Sequence, residues 1–170
     1  MAQLVMRLPT LDSIPSLPVP EGYEVRAFLK GEEASLAQCM SLADGPGWDE
    51  ERARREITEA RFVRKTIVVI HEGEIVATTS AAHHETRFPG VGYIHWVAAS
   101  PDHQGKKLGS ICLIECLKEF KRLGFSESVL ETDAFRLPAI RSYLRLGYVP
   151  DLTHPPDMQI WAELTHQFSS

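Results

Sequence analysis

The sequence predicts one α/β domain, a single mixed sheet flanked by helices. Three observations carry this expectation. Segments of period-two and period-3.6 apolar patterning follow one another in the order β–α–α–β–β–β–α–β–α–β–β. The 170 residues contain no internal repeat and no interdomain linker, and they suffice for one sizeable core. A central stretch, Val97 to Leu117, runs from a strand through a short basic, glycine-containing loop into a long helix.

Residues 1–22 are punctuated by Pro9, Pro15, Pro18 and Pro20 and read as a proline-rich N-terminal arm, with Leu4 to Leu8 an edge strand. The domain proper is expected over 23–170. Tyr23 to Leu29 alternates as a half-buried strand. Leu36, Cys39, Met40 and Ala43 form one helical stripe, with Glu32 and Glu33 in the first turn and Gly45 as the stop. After the Gly45-Pro46-Gly47 break, Asp49 caps a second helix, DEERARREITEAR, with Glu50–Arg54 and Glu51–Arg55 pairs at i, i+4. Its charge run reads as a solvated face. Thr66 to Ile70 is a β-branched strand, and HEGE turns it into IVATTSAA. VGYIHWVAA is the next strand. A long helix is expected from Gly105 to Leu123, carrying Leu108, Cys112, Cys116 and Phe120 at i+4 spacing. Ser128 to Thr132 is a strand, Pro138 to Leu146 a helix, Tyr148 to Pro150 extended, and Met158 to Leu164 alternates as a last strand.

An apolar fraction of 44% is too high for a disordered chain. No apolar run reaches the roughly 18 residues of a membrane span, and the first ten residues lack the regions of a secretory signal, so a soluble protein with no membrane partner is expected. Three cysteines, Cys39, Cys112 and Cys116, form no disulfide framework and point to a reducing cytoplasm. A net charge of −5 argues against a nucleic-acid partner.

The chemistry concentrates in VAASPDHQGKKLGSICLIECL. The first N–H groups of a helix lack intrahelical partners, and the dipole adds positive potential. Gly105 and Gly109 admit close approach of a ligand, and Lys106 and Lys107 add charge, so a diphosphate is the natural guest. Gln104-Gly105-Lys106-Lys107-Leu108-Gly109 resembles the coenzyme-A signature of the GCN5-related N-acetyltransferase (GNAT) superfamily, [Q/R]-x-x-G-x-[G/A], and Val-Ala-Ala-Ser-Pro resembles the strand end before it. Glu131 to Pro150, ETDAFRLPAIRSYLRLGYVP, is similar to the family's second signature, at the matching distance. The resemblance covers roughly Tyr23 to Leu164.

That resemblance implies a mostly antiparallel acyl-CoA N-acyltransferase sheet with a splayed central strand pair, and acetyl-CoA as co-substrate without a metal. The implied cofactor contacts are Val97, Ala98 and Ala99 through backbone, Gln104, Gly105, Lys106, Lys107, Leu108, Gly109 and Ser110 around the diphosphate, and Arg136. Lys107 stands where the signature has its central glycine. In a first helical turn lysine fits there; at positive φ it is strained. Arg136 replaces an asparagine common among relatives.

Tyr143 matches the family's phenol, general acid to the departing thiolate. For the base, His95, Glu131 and Asp133 stay open. His95, two residues before Val97, is expected on that residue's strand face, and Tyr93 shares it. Trp48, Asp49, Glu50, His83, His84 and Glu85 are candidates to line the acceptor site, against the plainer reading of Trp48 as a hydrophobic staple for its helix and of His83-His84 as a solvated loop. The histidines lack zinc-site spacing, and Cys112 and Cys116 read as core. The expected function is acetyl transfer from acetyl-CoA to a primary amine, of a small molecule or a peptide, by direct attack. The alternatives are an acyl-CoA sensor without turnover and an acyltransferase with a longer donor. Homodimers are common in the family. TDAFRLPAIRSY is also similar to a segment of mycothiol-synthesis acetyltransferases.

Overall fold

Four successive apolar residues, Ile67 to Ile70, need cover on both faces of their strand. They receive it from two helical layers. The computed structural model describes residues 3–153 and 155–169, and of residues 155 and 156 only the backbone. Met1 and Ala2 of the predicted arm lie outside the described residues. Seven strands form one sheet: β1 (Gln3–Leu8), β2 (Tyr23–Ala27), β3 (Val63–His71), β4 (Glu74–Ala82), β5 (Gly92–Ala99), β6 (Ser128–Asp133) and β7 (Val149–Pro150). Their order is β2-β3-β4-β5-β6-β1-β7. All neighbours are antiparallel except β5 and β6. The hairpin between β3 and β4 turns on Glu72 and Gly73, both at positive φ, the two-residue geometry that suits strand twist.

Helices α1 (Glu33–Asp44) and α2 (Glu50–Ala53) cover one face, burying Leu36, Met40 and Trp48 against Val68 and Ile70. Helices α3 (Leu108–Arg122), α4 (Leu137–Arg145) and α5 (Pro155–Phe168) cover the other, packing Leu113, Leu117 and Ile140 against Ile67 and Val69. Close approach of α3 to the sheet depends on Gly92, because a Cβ there would run into the Phe120 ring. Among the described residues no helix is long and apolar enough to cross a membrane.

Four local expectations change. Gln3–Leu8 is an interior strand rather than an edge: it pairs with all six residues of β6 and, at Met6 and Arg7, with β7. Met158 to Leu164 lies in helix α5, not in a strand. Beside β6 the place for a further strand is taken by β1, and Asp157, Trp161 and Leu164 are buried at helical spacing. The long helix begins at Leu108, not Gly105, because Lys107 adopts φ 57, ψ 31 and stops helical hydrogen bonding from running further back. Finally, α2 widens into a π-helical turn over Arg54–Thr58. Asp49 caps α2 by accepting from the Arg52 amide at 2.7 Å, and Arg54 pairs with Glu50 at 3.8 Å. The wide turn shifts Arg55 away from Glu51, and it meets Glu56 at 3.3 Å instead, a carboxylate that Arg52 also reaches at 3.1 Å.

Candidate active site

A parallel strand pair that stays together exchanges hydrogen bonds along its whole length; β5 and β6 do not. Their ladder consists of Gly92↔Ser128 and Tyr93↔Val129, after which the strands part. On its other side β5 carries a bulge. Ser80 faces His95 and Thr78 faces Ala98, so three steps along β5 match two along β4. Trp96 takes up the extra residue at φ 53.

One inserted residue exchanges the faces of everything beyond it. His95 therefore does not share a face with Val97, as simple alternation predicts. His95 reaches the α2 side, where its Nε2 lies 2.6 Å from the Glu56 carbonyl oxygen. Val97 turns to the α3 side, its Cγ1 3.4 Å from where a Gly109 Cβ would stand. The bulge thus gives the cleft two chemically different sides.

On the α3 side lies a cavity of about 490 Å³. Val97, Ala99, Gln104, Gly105, Lys107, Leu108, Gly109, Ser110 and Arg136 line it, together with His103 and Ser142, which the sequence did not single out. Ala98 and Lys106 are not among the lining residues: Ala98 is buried toward α1 and α2, and the Lys106 ammonium lies 5.9 Å from the Tyr23 ring centre. The cavity floor is the start of α3, whose first amides have no intrahelical acceptor. Gly105 at φ 80 and Lys107 at φ 57 turn the loop sharply into the helix. Lys107 therefore holds the strained left-handed conformation, and the lysine adds positive charge at an anion-suited helix start. These residues fit a diphosphate-bearing ligand such as coenzyme A.

On the α2 side lies a second cavity of about 480 Å³, lined by Asp44, Arg55, Glu56, Phe62, Tyr93, His95, Trp96, Glu131, Thr132 and Asp133 among others. Val97, Arg136 and Tyr143 line both cavities. None of Trp48, Asp49, Glu50, His83, His84 or Glu85 lines the second one. Trp48 is core, donating from Nε1 to Asp44 at 2.9 Å, and His84 stacks behind Phe62 at 4.2 Å. Besides β5 and β6, its lining draws on Asp44 at the end of α1, Arg55 and Glu56 in the π-helical turn, and Phe62 just before β3, none of which the sequence singled out for this site. No spacing rule connects those segments, and only the composition of the loop ends hinted at them.

Tyr143, in α4, is 5% exposed, and burial raises its pKa, with Arg136 working in the opposite direction. It stays a protonated phenol at neutral pH. His95 is held down by burial, only partly offset by the Glu56 carbonyl, and is neutral at pH 7. Because a carbonyl only accepts, Nε2 must donate, and Nδ1 keeps its lone pair. Glu131 has other commitments: it is ion-paired with Arg87 and accepts from the Tyr93 hydroxyl at 3.1 Å. Burial and the Glu131 charge push Tyr93 upward, so it remains the donor. Of these groups, His95 alone offers a free basic atom in a neutral ring. Asp133 lies at the end of β6, on the same cavity.

Cys39, Cys112 and Cys116 are buried and free. Burial pushes the Cys39 thiol up to about 12 and the other two higher still, so none offers a thiolate. Among the described residues no cluster of three or more His, Cys, Asp or Glu could hold a metal ion.

A mixed sheet opened between two parallel strands, with a helix start facing the gap, defines an acyl-CoA-type transferase scaffold. The acetyltransferase (GNAT) family model matches residues 34–148, and the chain belongs to that family. Among curated relatives, the mycothiol acetyltransferase of Arthrobacter sp. (strain FB24) is 28% identical over 84% of this chain and 48% of its own length. That of Thermobispora bispora is 27% identical over 84% and 52%. The chain thus spans about half the length of the curated relatives it matches. Among solved structures, a GCN5-related N-acetyltransferase from Sphaerobacter thermophilus superposes with TM-score 0.70 and 26% identity, over 88% of this chain and 48% of that one. One from Kribbella flavida, at 20% identity and TM-score 0.57, shares the fold over 86% of this chain and 53% of its own.

Proposed function

We propose that this acetyltransferase moves the acetyl group of acetyl-CoA to a primary amine by direct attack. The observation that carries the reading is the meeting of two cavities, one anion-suited and one acid-lined, at Val97, Arg136 and Tyr143. Two substrates entering from opposite faces of the sheet would find their reacting atoms there, held in place rather than left to collide.

Bound acetyl-CoA would supply an acetyl thioester. The loop Gln104–Ser110 and the start of α3 hold its diphosphate, and the free edge of β5 takes the pantetheine arm as an added strand. His95 Nδ1 accepts the proton of the attacking amine. As the N–C bond forms and the C–S bond breaks, Tyr143 gives its proton to the leaving sulfur, and its phenolate, steadied by Arg136, takes the second proton that the nitrogen sheds in becoming an amide. Glu131, held by Arg87 and the Tyr93 hydroxyl, fixes that wall of the acceptor side rather than moving protons. Three buried cysteines suit a reducing compartment, and we place the protein in the cytoplasm.

The test is release of free thiol from acetyl-CoA across a panel of amines, with coenzyme-A affinity measured alongside. Amine-dependent thiol is expected. Measurable acetyl-CoA binding with no thiol from any amine would overturn transfer in favour of a sensor.

A further inference from the structure

Trp96 sits in a backbone conformation that a bulky side chain rarely adopts, and glycine could occupy that bulge position without the cost. Strain kept at such a place points to what the side chain does. Trp96 is among the residues lining the acceptor-side cavity, and its indole meets the Trp48 ring in a T-shaped contact at 5.1 Å. Trp48 is fixed in turn by Asp44 and covered by the Arg52 guanidinium at 3.9 Å. Phe62 and Tyr93 complete an aromatic wall around the same cavity.

The charges around that wall are unevenly matched. Glu131 is paired with Arg87, and Glu56 with Arg52 and Arg55. Asp44 and Asp133 have no ion-pair partner among the described residues, although both line the cavity. Asp44 is also the last residue of α1, whose final turn carries no basic side chain, so the helix dipole deepens the negative potential. Arg136, which has no ion-pair partner among the described residues, lies where the two cavities join, within reach of the anionic co-substrate's side. An aromatic face with unmatched carboxylates beside it is the chemistry that selects organic cations.

We propose that Trp96 is the specificity-determining residue of the acceptor site, and that the acceptor binds as a compact organic ammonium. Its charge rests on the indole face and on the unpaired carboxylates until His95 takes the proton. The inference rests on the acetyl-transfer reading for its chemistry, but the binding it describes can be measured without turnover.

The chain has three tryptophans, Trp48, Trp96 and Trp161, whose indole N–H resonances report separately by ¹H–¹⁵N NMR. Coenzyme-A-loaded protein is titrated with phenethylamine, 1,4-diaminobutane and glucosamine, each against its hydroxyl counterpart (phenethyl alcohol, 1,4-butanediol, glucose). The Trp96 resonance should move with at least one amine and not with its counterpart, while Trp161, on the opposite face in α5, stays still. In Trp96→Leu that amine should bind roughly tenfold more weakly, and in Trp96→Phe within about threefold of the parent, with coenzyme-A affinity unchanged in both. No Trp96 shift with any amine, an equal shift with the hydroxyl compound, or undiminished binding by Trp96→Leu would overturn the proposal. Should Trp96→Leu not fold, the parent titration decides alone. Thiol release from acetyl-CoA, assayed separately with the same proteins and amines, separates the two readings. Amine binding at Trp96 without release overturns acetyl transfer and supports the binding proposal; release indifferent to Trp96 overturns the binding proposal.

Discussion

A histidine that donates through Nε2 to a backbone carbonyl has only Nδ1 left for chemistry, and His95 is such a residue. Burial lowers its pKa, so kcat/KM should rise with pH on the acid side with an apparent value below the usual histidine value of about 6.5. His95→Gln should flatten that limb, while Glu131→Gln should leave its position unchanged; a pH–rate profile for each variant decides between the two groups. The same shift has a stability consequence. Folded His95 binds a proton less readily than unfolded His95, so its contribution is present above the unfolded pKa and is lost as pH falls through the folded one. Urea midpoints between about pH 7 and pH 5 should fall less in His95→Gln than in the parent. For Tyr143→Phe, turnover should drop by about 10²–10⁴-fold while coenzyme-A affinity holds, checked by steady-state kinetics beside calorimetry. The sequence singled out both Tyr143 and His95, one from a motif and one from its place in a strand, and both line the second cavity, although strand alternation put His95 on Val97's face. The competition between His95 and Glu131 was not legible in the sequence, because it turns on contacts that only folding creates, from Arg87 and Tyr93 to Glu131 and from His95 to the Glu56 carbonyl.

Elements here are shaped by a few residues with unusual backbones. Lys107 at φ 57 ends the loop after β5 and starts α3. Lys107→Gly should raise the unfolding free energy by about 1 kcal/mol, read from a urea curve, because glycine adopts that conformation without its Cβ penalty. Gly92→Ala should lower it by about 1–3 kcal/mol, because α3 would be pushed off the sheet at Phe120. The choice between helix and strand at Met158 to Leu164 shows how local pattern runs short. Alternation and the helical stripe Asp157–Trp161–Leu164 both fit that segment, and the outcome depended on whether the sheet had a place left beside β6. The π-helical turn was equally silent in the sequence. Its consequence, a Glu56 carbonyl turned toward His95, is geometric and has no residue signature.

At the scale of the molecule, the N-terminal strand completes the sheet. β1 covers the whole free edge of β6, with Leu4 and Met6 fully buried, and Arg7 ties it to Asp151 at 2.6 Å. Leu4→Ala should therefore cost about 2–5 kcal/mol by denaturant titration, as at other core positions. A chain beginning at Tyr23 should lose cooperative unfolding, since β6 would keep β5 only along the short stretch before the splay. The sequence by itself determined the α/β class, most of the elements, the anion-suited loop and Tyr143. Those features depend on apolar periodicity, on glycine spacing and on a motif, all carried within one local segment. Tertiary structure alone decided that β1 sits inside the sheet, that the bulge at Trp96 sends His95 and Val97 to opposite faces, and that two cavities meet at Tyr143. These depend on which strand reaches an edge first and on one inserted residue exchanging two faces, and neither is encoded in the pattern of any single segment.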